Sequence, residues 1–249
     1  MKILGIDVGG SGIKGAIVDT EIGELTTERF RIPTPQPPTP EAMIQTICEI
    51  IKHFEWHGQI GVGFPAAVRN EIIKTASNID KSWIGLNAAE KIKEATGCNT
   101  HLVNDVDAAG LAEIKFGAGK SAEGVTIMVA AGTGIGTGLF IGSQLVPNTE
   151  LGFVWLNDMP GEHYAANSVR EKEELSWEDW GNRFNEYLKR LESLFWPDLF
   201  IIGGGVSKHF DKYSACLTLD TKAVPAQSKN HAGIIGAALA AKQAGEQHQ

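Results

Sequence analysis

The chain opens on two short apolar runs separated by a glycine-rich segment. Residues 3–8 and 13–18 are rich in β-branched side chains, and Gly9-Gly10-Ser11-Gly12 lies between them. Runs of this length and composition predict two strands joined by a tight turn. Glycine allows a positive φ in such a turn, and the exposed N–H groups are suited to bind phosphate. The alternative is an ordinary hairpin that binds nothing.

The same plan recurs in the second half of the chain. Residues 125–131 and 135–141 form two apolar runs on either side of Gly132-Thr133-Gly134. An internal repeat of this kind predicts two halves of similar fold, each with one phosphate-binding turn facing a cleft. The weaker alternative is a chance duplicate of two glycine-rich hairpins. A side chain added at Gly10 or Gly134 is expected to block the turn or the approach of phosphate.

Between and after the hairpins, the pattern predicts further strands and helices. Strands are expected at residues 25–32, 59–64, 101–103 and 198–202, and helices at 40–54, 88–96, 108–116, 176–195 and 232–243. Thr39, Asn87 and Ser176 are predicted helix caps, because short polar side chains accept hydrogen bonds from first-turn N–H groups. The apolar stripe of the helix at 176–195 indicates core or a dimer contact.

Polar groups follow two of the predicted strands. Asn104, Asp105 and Asp107 come directly after the strand at 101–103, where α/β folds bind ligands. The alternative is that Asn104 or Asp105 only caps the next helix. Gly203-Gly204-Gly205 follows the strand at 198–202 and is a third candidate phosphate turn.

Other polar residues are candidates on weaker grounds. The loop at 78–85 contains Asn78, a carboxylate, an amine and an indole, a mixture that suits either a sugar or an ordinary surface turn. Asp7 lies beside the first turn, where a carboxylate is suited to hold hydrated magnesium. Lys14 has the reach to contact phosphate oxygens. Glu150 and Glu162 are either ligand-binding carboxylates or solvated surface residues.

Composition restricts the function more than the fold. The chain has 249 residues, enough for one large or two smaller domains, and a net charge of −8 that argues against nucleic-acid binding. No apolar run reaches the ~18 residues that would span a membrane. Three scattered cysteines argue against a disulfide framework and against a zinc cluster, so we expect a reducing cytoplasm.

Several of these segments, taken in order, resemble the motifs of the ROK sugar kinases. Asp7-Val-Gly-Gly-Ser-Gly-Ile-Lys14 is similar to their opening phosphate motif, and Val103-Asn-Asp-Val-Asp-Ala-Ala109 to their sugar and catalytic motif. Gly132-Thr-Gly-Ile-Gly136 and Gly203-Gly-Gly205 resemble the second and third turns. The segments 33–37, 78–83 and 175–180 are similar to the polyphosphate glucokinase branch.

The resemblance implies an α/β fold of two actin-like (ribonuclease H-like) halves around a central cleft. The expected domains are 1–108, completed by a C-terminal helix at 232–244, and 109–231. The implied reaction is phosphoryl transfer from inorganic polyphosphate, ATP or both to the 6-hydroxyl of glucose or a related hexose, with Mg²⁺. The implied protein is a cytoplasmic homodimer with no nucleic-acid or membrane partner.

The resemblance also implies a role for particular residues. Asp105 would be the general base, with Asn104, Asn78, Glu150 and Glu162 binding the sugar, and Asp7 lying near the metal. The implied phosphate-binding set is Asp7, Gly9, Gly10, Ser11, Lys14, Gly132, Thr133, Gly134, Gly204 and Gly205. Candidate cations for a long polyphosphate chain are Lys14, Lys74, Lys81, Lys115 and Lys120.

Three departures from the family leave alternatives open. Phe153 stands where the family's Glu-x-Gly-His motif has a sugar-binding histidine, Ala66 replaces a turn glycine, and the zinc-binding cysteines of many members are absent. An ATP-dependent kinase for another sugar, or a catalytically weak sugar-binding protein, therefore remains an alternative. An actin-like filament protein is a further alternative, which the Asn104-Asp105 pair disfavours.

Overall fold

The computed structural model of the protein describes residues 1–77 and 79–247, so the predicted sugar-loop residue Asn78 lies outside the described residues. The chain divides into two compact units. The first unit comprises Met1–Phe116 and the C-terminal segment from Asn230, and the second comprises Gly117–Lys229. The predicted boundary after residue 108 falls inside a helix, Asp105–Phe116.

The first unit is built on one mixed sheet. Its elements are β1 (Lys2–Gly9), β2 (Gly12–Asp19), β3 (Glu24–Leu25), β4 (Phe30–Ile32), α1 (Pro40–His53), β5 (Ile60–Phe64), β6 (Val68–Arg69), β7 (Ile72–Ile73), α2 (Ala88–Thr96), β8 (Thr100–Asn104), α3 (Asp105–Phe116) and α7 (Ala232–Gln247). The strand order is β3-β2-β1-β5-β8, with β4 also paired to β2. Strands β1, β5 and β8 run parallel, so their carboxyl ends share one edge.

Helices cover both faces of this sheet by different means. On one face, buried Met43 and Ile47 of α1 and Ile92 of α2 join the core with Ile6. On the other face, α7 lies directly on the strand backbones. A Cβ at Gly5 would lie 2.0 Å from the carbonyl oxygen of Ile234, and one at Gly61 would lie 1.9 Å from that of Ala237. Glycine in β1 and β5 therefore permits α7 to pack against the sheet.

The second unit repeats the plan of the first. Its elements are β9 (Val125–Ala131), β10 (Ile135–Ile141), β11 (Gln144–Val146), β12 (Trp155–Leu156), β13 (Met159–Pro160), α4 (Gly161–Ala165), α5 (Asn167–Lys172), α6 (Trp177–Phe195), β14 (Leu199–Gly203) and β15 (Lys222–Pro225). In both units a glycine-linked antiparallel hairpin is followed by a parallel strand beside its first member. The repeat predicted from the sequence is present in the topology.

Local signals predicted the five longer helices, α1, α2, α3, α6 and α7, but not the short helices α4 and α5. Thr39, Asn87 and Ser176 accept hydrogen bonds from first-turn N–H groups at 3.4, 3.0 and 3.0 Å, which confirms all three caps. The stripe on α6 is core: Trp180, Phe184, Tyr187, Leu188 and Leu191 are fully buried. Leu194, near the carboxyl end of the same helix, is 48% exposed. Among the described residues no helix is both long enough and apolar enough to cross a lipid bilayer.

Two predictions about strands and turns were wrong. The single strand expected at residues 25–32 is divided into β3 and β4, because Thr26 and Thr27 exchange side-chain hydrogen bonds with the backbone of Ile17 at 3.1 and 3.0 Å. These bonds take the place of a regular ladder. Gly9, Gly10 and Gly12 also have no positive φ, so the first turn does not need glycine for that reason.

Candidate active site

The first glycine turn begins beside a row of charged side chains. Asp7 in β1 lies opposite Lys14 in β2, and the Lys14 Nζ is 3.2 Å from the Asp7 Oδ2. Directly opposed residues of paired strands point to the same face of a sheet. The two side chains are 18% and 24% exposed, so both remain accessible to a ligand at the turn.

The amino end of α7 closes against Asp7. A Cβ at Gly233 would lie 2.8 to 3.1 Å from the Asp7 carboxyl carbon and oxygens. Glycine at this position therefore lets the helix start approach the carboxylate. The partial positive charge of a helix N-terminus stabilises a nearby anion. Sequence reasoning missed Gly233, because its partner is more than two hundred residues away in the chain.

The first glycine turn has open space beside Gly10, and hydrogen bonds to the carbonyls of Gly9 and Ser11 fix its backbone. A Cβ at Gly10 would meet nothing within 4 Å, so the space beside it can accept a ligand atom. The carbonyl of Gly9 accepts a hydrogen bond from the Thr34 hydroxyl at 2.5 Å, and the carbonyl of Ser11 accepts one from the Arg31 guanidinium at 2.5 Å. Two carbonyl oxygens that would repel a phosphate are thus occupied by donors.

Asn104 and Asp105 lie at the same sheet edge as Asp7. The register places Asp7 beside Gly63 and Gly63 beside Val103 in adjacent parallel strands. Strands are about 4.8 Å apart, so the backbones of Asp7 and Val103 are separated by roughly 10 Å. A Cβ at Gly63 would lie 3.8 Å from the Asp105 Cα. The fold therefore brings the first turn and the Asn104-Asp105 pair together.

Asn104 both caps α3 and keeps a hydrogen-bonding group for a ligand. Its Oδ1 accepts from the N–H groups of Val106 and Asp107 at 2.8 and 3.1 Å, and its Nδ2 donates to the Ala66 carbonyl at 3.2 Å. The second N–H of the amide has no partner within the described part of the chain. Asn104 thus caps α3, and its amide geometry is also compatible with binding a sugar.

Ala66, a departure from the family motif, fits its turn without strain. Its φ is not in the left-handed region, so the position does not demand glycine. Ala66 is 4% exposed and its carbonyl orients the Asn104 amide. The replacement of the family's glycine therefore leaves the support for Asn104 intact.

In the second unit, Glu162 lies directly against the second glycine turn. A Cβ at Gly134 would lie 2.4 Å from the Glu162 Oε2, and the same oxygen accepts from the Ile135 N–H at 3.3 Å. The space beside Gly134 is thus occupied by the Glu162 carboxylate. A Cβ at Gly132 would meet nothing within 4 Å. Of the two glycines, only Gly132 faces open space.

Glu150 directly precedes a short 3₁₀ turn, Leu151–Phe153, that packs beside β10. The Thr137 hydroxyl in β10 donates to the Thr149 carbonyl and accepts from the Leu151 N–H at 3.0 Å, on either side of Glu150. A Cβ at Gly152 would lie 2.2 Å from the Ile135 carbonyl oxygen, so the turn packs onto the strand backbone. Thr137 and Gly152 were missed from the sequence, although both lie next to residues that were singled out.

The electrostatics of Glu150 reflect this crowding. The side chain is exposed by surface area, yet enough protein surrounds it that desolvation, followed by the nearby Glu162 carboxylate, raises its pKa. A raised pKa of an acid means that the folded state binds the proton more readily than the unfolded state. The stability gained from protonating Glu150 in the folded state is fully present below the unfolded pKa, and it is lost as pH rises through the folded pKa.

Glu150→Gln is therefore expected to raise Tm at pH 7, where it removes an unfavourable charge, and to lose this advantage near pH 4. Sugar affinity should fall at the same time if Glu150 binds the ring. Thermal denaturation at both pH values is the measurement. Glu123→Gln, at an exposed site in the same unit, is the matched control. A lower Tm at pH 7 in Glu150→Gln would contradict the expectation.

Phe153 ends the turn that Glu150 begins. The Phe153 N–H donates to the Glu150 carbonyl at 3.1 Å, and the phenyl ring is 47% exposed. A phenyl ring cannot replace a histidine as hydrogen-bond donor, but it offers an apolar surface to the carbon face of a sugar. The ring therefore belongs to the same short turn as Glu150, a candidate sugar-binding residue.

Phe153→His is expected to tighten glucose binding several-fold, because one added hydrogen bond contributes about 0.5–1.5 kcal/mol net. Glucose titration by calorimetry measures this directly. Trp155→His serves as the control, since Trp155 is 66% exposed and lies just outside the turn. Weaker glucose binding in Phe153→His would mean that the pocket is adapted to the phenyl ring and to another sugar.

The second and third glycine turns lie at one edge of the second sheet. Gly203 pairs with Ala130, and a Cβ at Gly204 would lie 2.5 Å from the Ala131 carbonyl oxygen. Gly204 also has a φ of 75°, a conformation that favours glycine. Gly205 faces open space and begins a 3₁₀ segment, Gly205–Lys212.

The candidate cations do not all lie near a turn. Lys115 donates to the Thr20 carbonyl at 3.2 Å, at the far end of β2 from Gly12. At about 3.3 Å per residue, this end is roughly 25 Å from the first turn. Lys115 is therefore excluded from the first phosphate site. Among the described residues no cluster of three or more His, Cys, Asp or Glu is placed to hold a metal ion.

Comparisons with known proteins agree with this architecture. The sequence pattern of the ROK family matches residues 3–159. The chain is 46% identical over 237 residues to the polyphosphate glucokinase of Mycobacterium tuberculosis (strain CDC 1551 / Oshkosh), covering 95% of this chain and 89% of that protein. The chain belongs to the ROK family.

Solved structures support the same conclusion. The inorganic polyphosphate/ATP-glucomannokinase of Arthrobacter sp. strain KM superposes with a TM-score of 0.92 at 40% identity, over 97% of this chain and 99% of that one. A ROK glucokinase of Streptomyces griseus, solved with glucose and AMPPNP, gives a TM-score of 0.82 at 24% identity over 98% and 100%. The predicted actin-like α/β fold is confirmed.

Proposed function

We infer that this protein is a sugar kinase that transfers a phosphoryl group from inorganic polyphosphate, ATP or both to the 6-hydroxyl of glucose or a related hexose. The observation that carries the inference is the placement of the Asn104-Asp105 pair at the carboxyl end of β8, beside Asp7 and the first glycine turn. The similarity to polyphosphate glucokinases and to a polyphosphate/ATP-glucomannokinase supports the choice of donor and sugar.

Asp105 acts as the general base on the sugar hydroxyl. Its Oδ1 accepts from the Val106 N–H at 2.9 Å, which holds the carboxylate at the start of α3. The second N–H of Asn104 binds a sugar hydroxyl and aligns the substrate. Removing the hydroxyl proton as the phosphoryl group arrives accelerates such reactions by roughly 10²–10⁴-fold. In our proposal the sugar ring is also bound by Glu150, Glu162 and Asn78.

The glycine turns bind the donor. Phosphoryl transfer depends on positioning and on electrostatic stabilisation more than on covalent chemistry by the protein. In the first turn the donors are Gly9, Gly10, Ser11 and Lys14, in the second Gly132, Thr133 and Gly134, and in the third Gly204 and Gly205. Glu162 occupies the Gly134 side of the second turn, and the Gly132 N–H donates to the Gly134 carbonyl at 2.9 Å, so the phosphate contact there falls mainly on the Thr133 N–H.

Asp7 is suited to hold magnesium, and its carboxylate also forms an ion pair with Lys14. Magnesium keeps most of its water and is commonly held by one or two carboxylates together with substrate phosphates. A single carboxylate beside an open glycine turn matches that requirement. When bound, magnesium neutralises charge on the phosphate oxygens in the transition state. We further propose that the protein is cytoplasmic and a homodimer.

A matrix of donors against sugars tests the proposed function. We expect sugar 6-phosphate from polyphosphate at a rate at least equal to that from ATP. We also expect the KM for polyphosphate to rise steeply with salt, because ionic strength screens contacts between phosphates and exposed cations. Initial rates at low and high salt measure both. Turnover with ATP alone would assign the protein to the ATP-dependent kinases.

A further inference from the structure

We propose that Arg31 binds the polyphosphate donor beyond the first glycine turn and determines how well polyphosphate competes with ATP. This inference rests on the proposed function, because it concerns the donor of that reaction. Arg31 was not among the cations considered from the sequence. It is brought to the site only by the pairing of β4 with β2.

Arg31 extends the charged row at the first turn by one strand. Lys14 lies opposite Asp7 in β1 on one side and opposite Arg31 in β4 on the other. Directly opposed residues share a face, so carboxylate, ammonium and guanidinium follow one another across three strands. Each strand adds about 4.8 Å, which places the two cations along a line that leads away from Asp7.

The guanidinium is held against the turn. One terminal nitrogen of Arg31 donates to the Ser11 carbonyl at 2.5 Å. A Cβ at Gly12 would lie 2.4 to 2.7 Å from three guanidinium atoms, so glycine at that position leaves room for the charged group. The cation is thereby positioned beside Ser11 and Gly12 instead of extending freely into solvent.

The rest of the guanidinium is available for a ligand. Arginine has five N–H donors, and one hydrogen bond uses only part of that capacity. Within residues 1–77 and 79–247, no carboxylate lies within 4.0 Å of Arg31, although ten other ion pairs form there. Planar guanidinium matches two phosphate oxygens at once.

The position favours a long donor over a short one. A net charge of −8 repels polyanions at long range, so binding of polyphosphate depends on local cations. A polyphosphate chain that places one phosphate at the turn continues along successive charges, whereas ATP has a nucleoside after three phosphates. Lys14 serves both donors at the turn. Arg31, one strand further out, adds a contact for the additional phosphates of the longer chain.

The test compares Arg31→Gln with Arg31→Lys and with Lys2→Gln. Lys2 is exposed at the opposite end of β1, so its substitution changes net charge by the same amount far from the turn. We expect Arg31→Gln to raise the KM for long-chain polyphosphate about tenfold, with kcat and the KM for glucose within twofold of wild type. The KM for ATP should change less than threefold. Arg31→Lys should recover part of the loss, and Lys2→Gln should behave as wild type.

Two further measurements separate a donor contact from a structural one. The slope of log KM for polyphosphate against log salt should decrease by about one in Arg31→Gln, as for the loss of one phosphate contact. Gly12→Ala should displace the guanidinium and weaken polyphosphate binding, but it should add little in the Arg31→Gln background. Calorimetric titration with polyphosphate in the absence of sugar measures these affinities without turnover.

The outcomes are distinguishable. If Arg31→Gln matches Lys2→Gln, or if it weakens both donors equally, Arg31 only shapes the turn and our inference is wrong. If wild-type protein neither binds nor uses polyphosphate, the donor assignment fails first, and the wild-type measurements show this without any variant. Tm values within about 2 °C of wild type exclude misfolding as the cause.

Discussion

Asp105→Asn is expected to lower kcat by at least about a hundredfold while the fold stays intact. An amide has the shape of the carboxylate but cannot accept the proton of the sugar hydroxyl. Loss of a general base commonly costs roughly 10²–10⁴-fold in rate. The effect should appear in kcat, with a smaller change in the KM for glucose, because the proposed sugar-binding residues Asn104, Glu150 and Glu162 are unchanged. Initial rates at saturating donor and sugar are the measurement.

Asp179→Asn is a matched control for this variant. Asp105 and Asp179 both lie in the first turn of a helix, where a carboxylate contributes about 0.3–1 kcal/mol through the helix dipole. Asp179 is exposed and its Oδ2 accepts from the Ser176 hydroxyl at 2.6 Å. Both variants should lower Tm slightly, and only Asp105→Asn should lower kcat. If Asp105→Asn retains near-wild-type turnover, the carboxylate only stabilises α3.

Gly134→Val is expected to weaken glucose binding, for a reason that only the structure shows. From the sequence, a side chain at this turn was expected to exclude phosphate. The Glu162 Oε2 lies 2.4 Å from the position of a Cβ, so valine must displace that carboxylate first. A hydrogen bond that a sugar hydroxyl donates to a charged group contributes about 1.5–3 kcal/mol, which corresponds to roughly ten- to hundredfold in affinity if Glu162 binds the sugar as proposed. We expect the KM for glucose to rise by that factor.

Gly132→Val provides the contrast within the same turn. Its Cβ would meet no protein atom within 4 Å, so its effect should fall on whatever ligand occupies that space. We expect Gly132→Val to raise the donor KM and to leave glucose binding largely unchanged. Separate titrations with glucose and with donor distinguish the two variants. If Gly134→Val changes only the donor KM, Glu162 is not a sugar ligand.

Features governed by neighbouring residues could be predicted from the sequence. Thr39, Asn87 and Ser176 cap their helices through bonds that span three residues, so residue type and spacing suffice. The two glycine-linked hairpins are also local, and their repetition indicated the topology of both sheets. The family resemblance added the order of the motifs and therefore the fold. The position of Asn104 and Asp105 at the end of β8 follows from the same local pattern.

Features governed by distant residues required the tertiary structure. Gly233 approaches Asp7, Glu162 approaches Gly134, and Arg31 approaches Gly12, in each case because another element packs or pairs alongside. Hydrophobic periodicity and capping carry no information about such contacts, since many partners are compatible with each local pattern. The sequence by itself therefore determined the five longer helices, the repeat and the residue types available for chemistry. Only the tertiary structure decided which glycines face open space and which face a side chain of this chain, because that depends on how the elements pack.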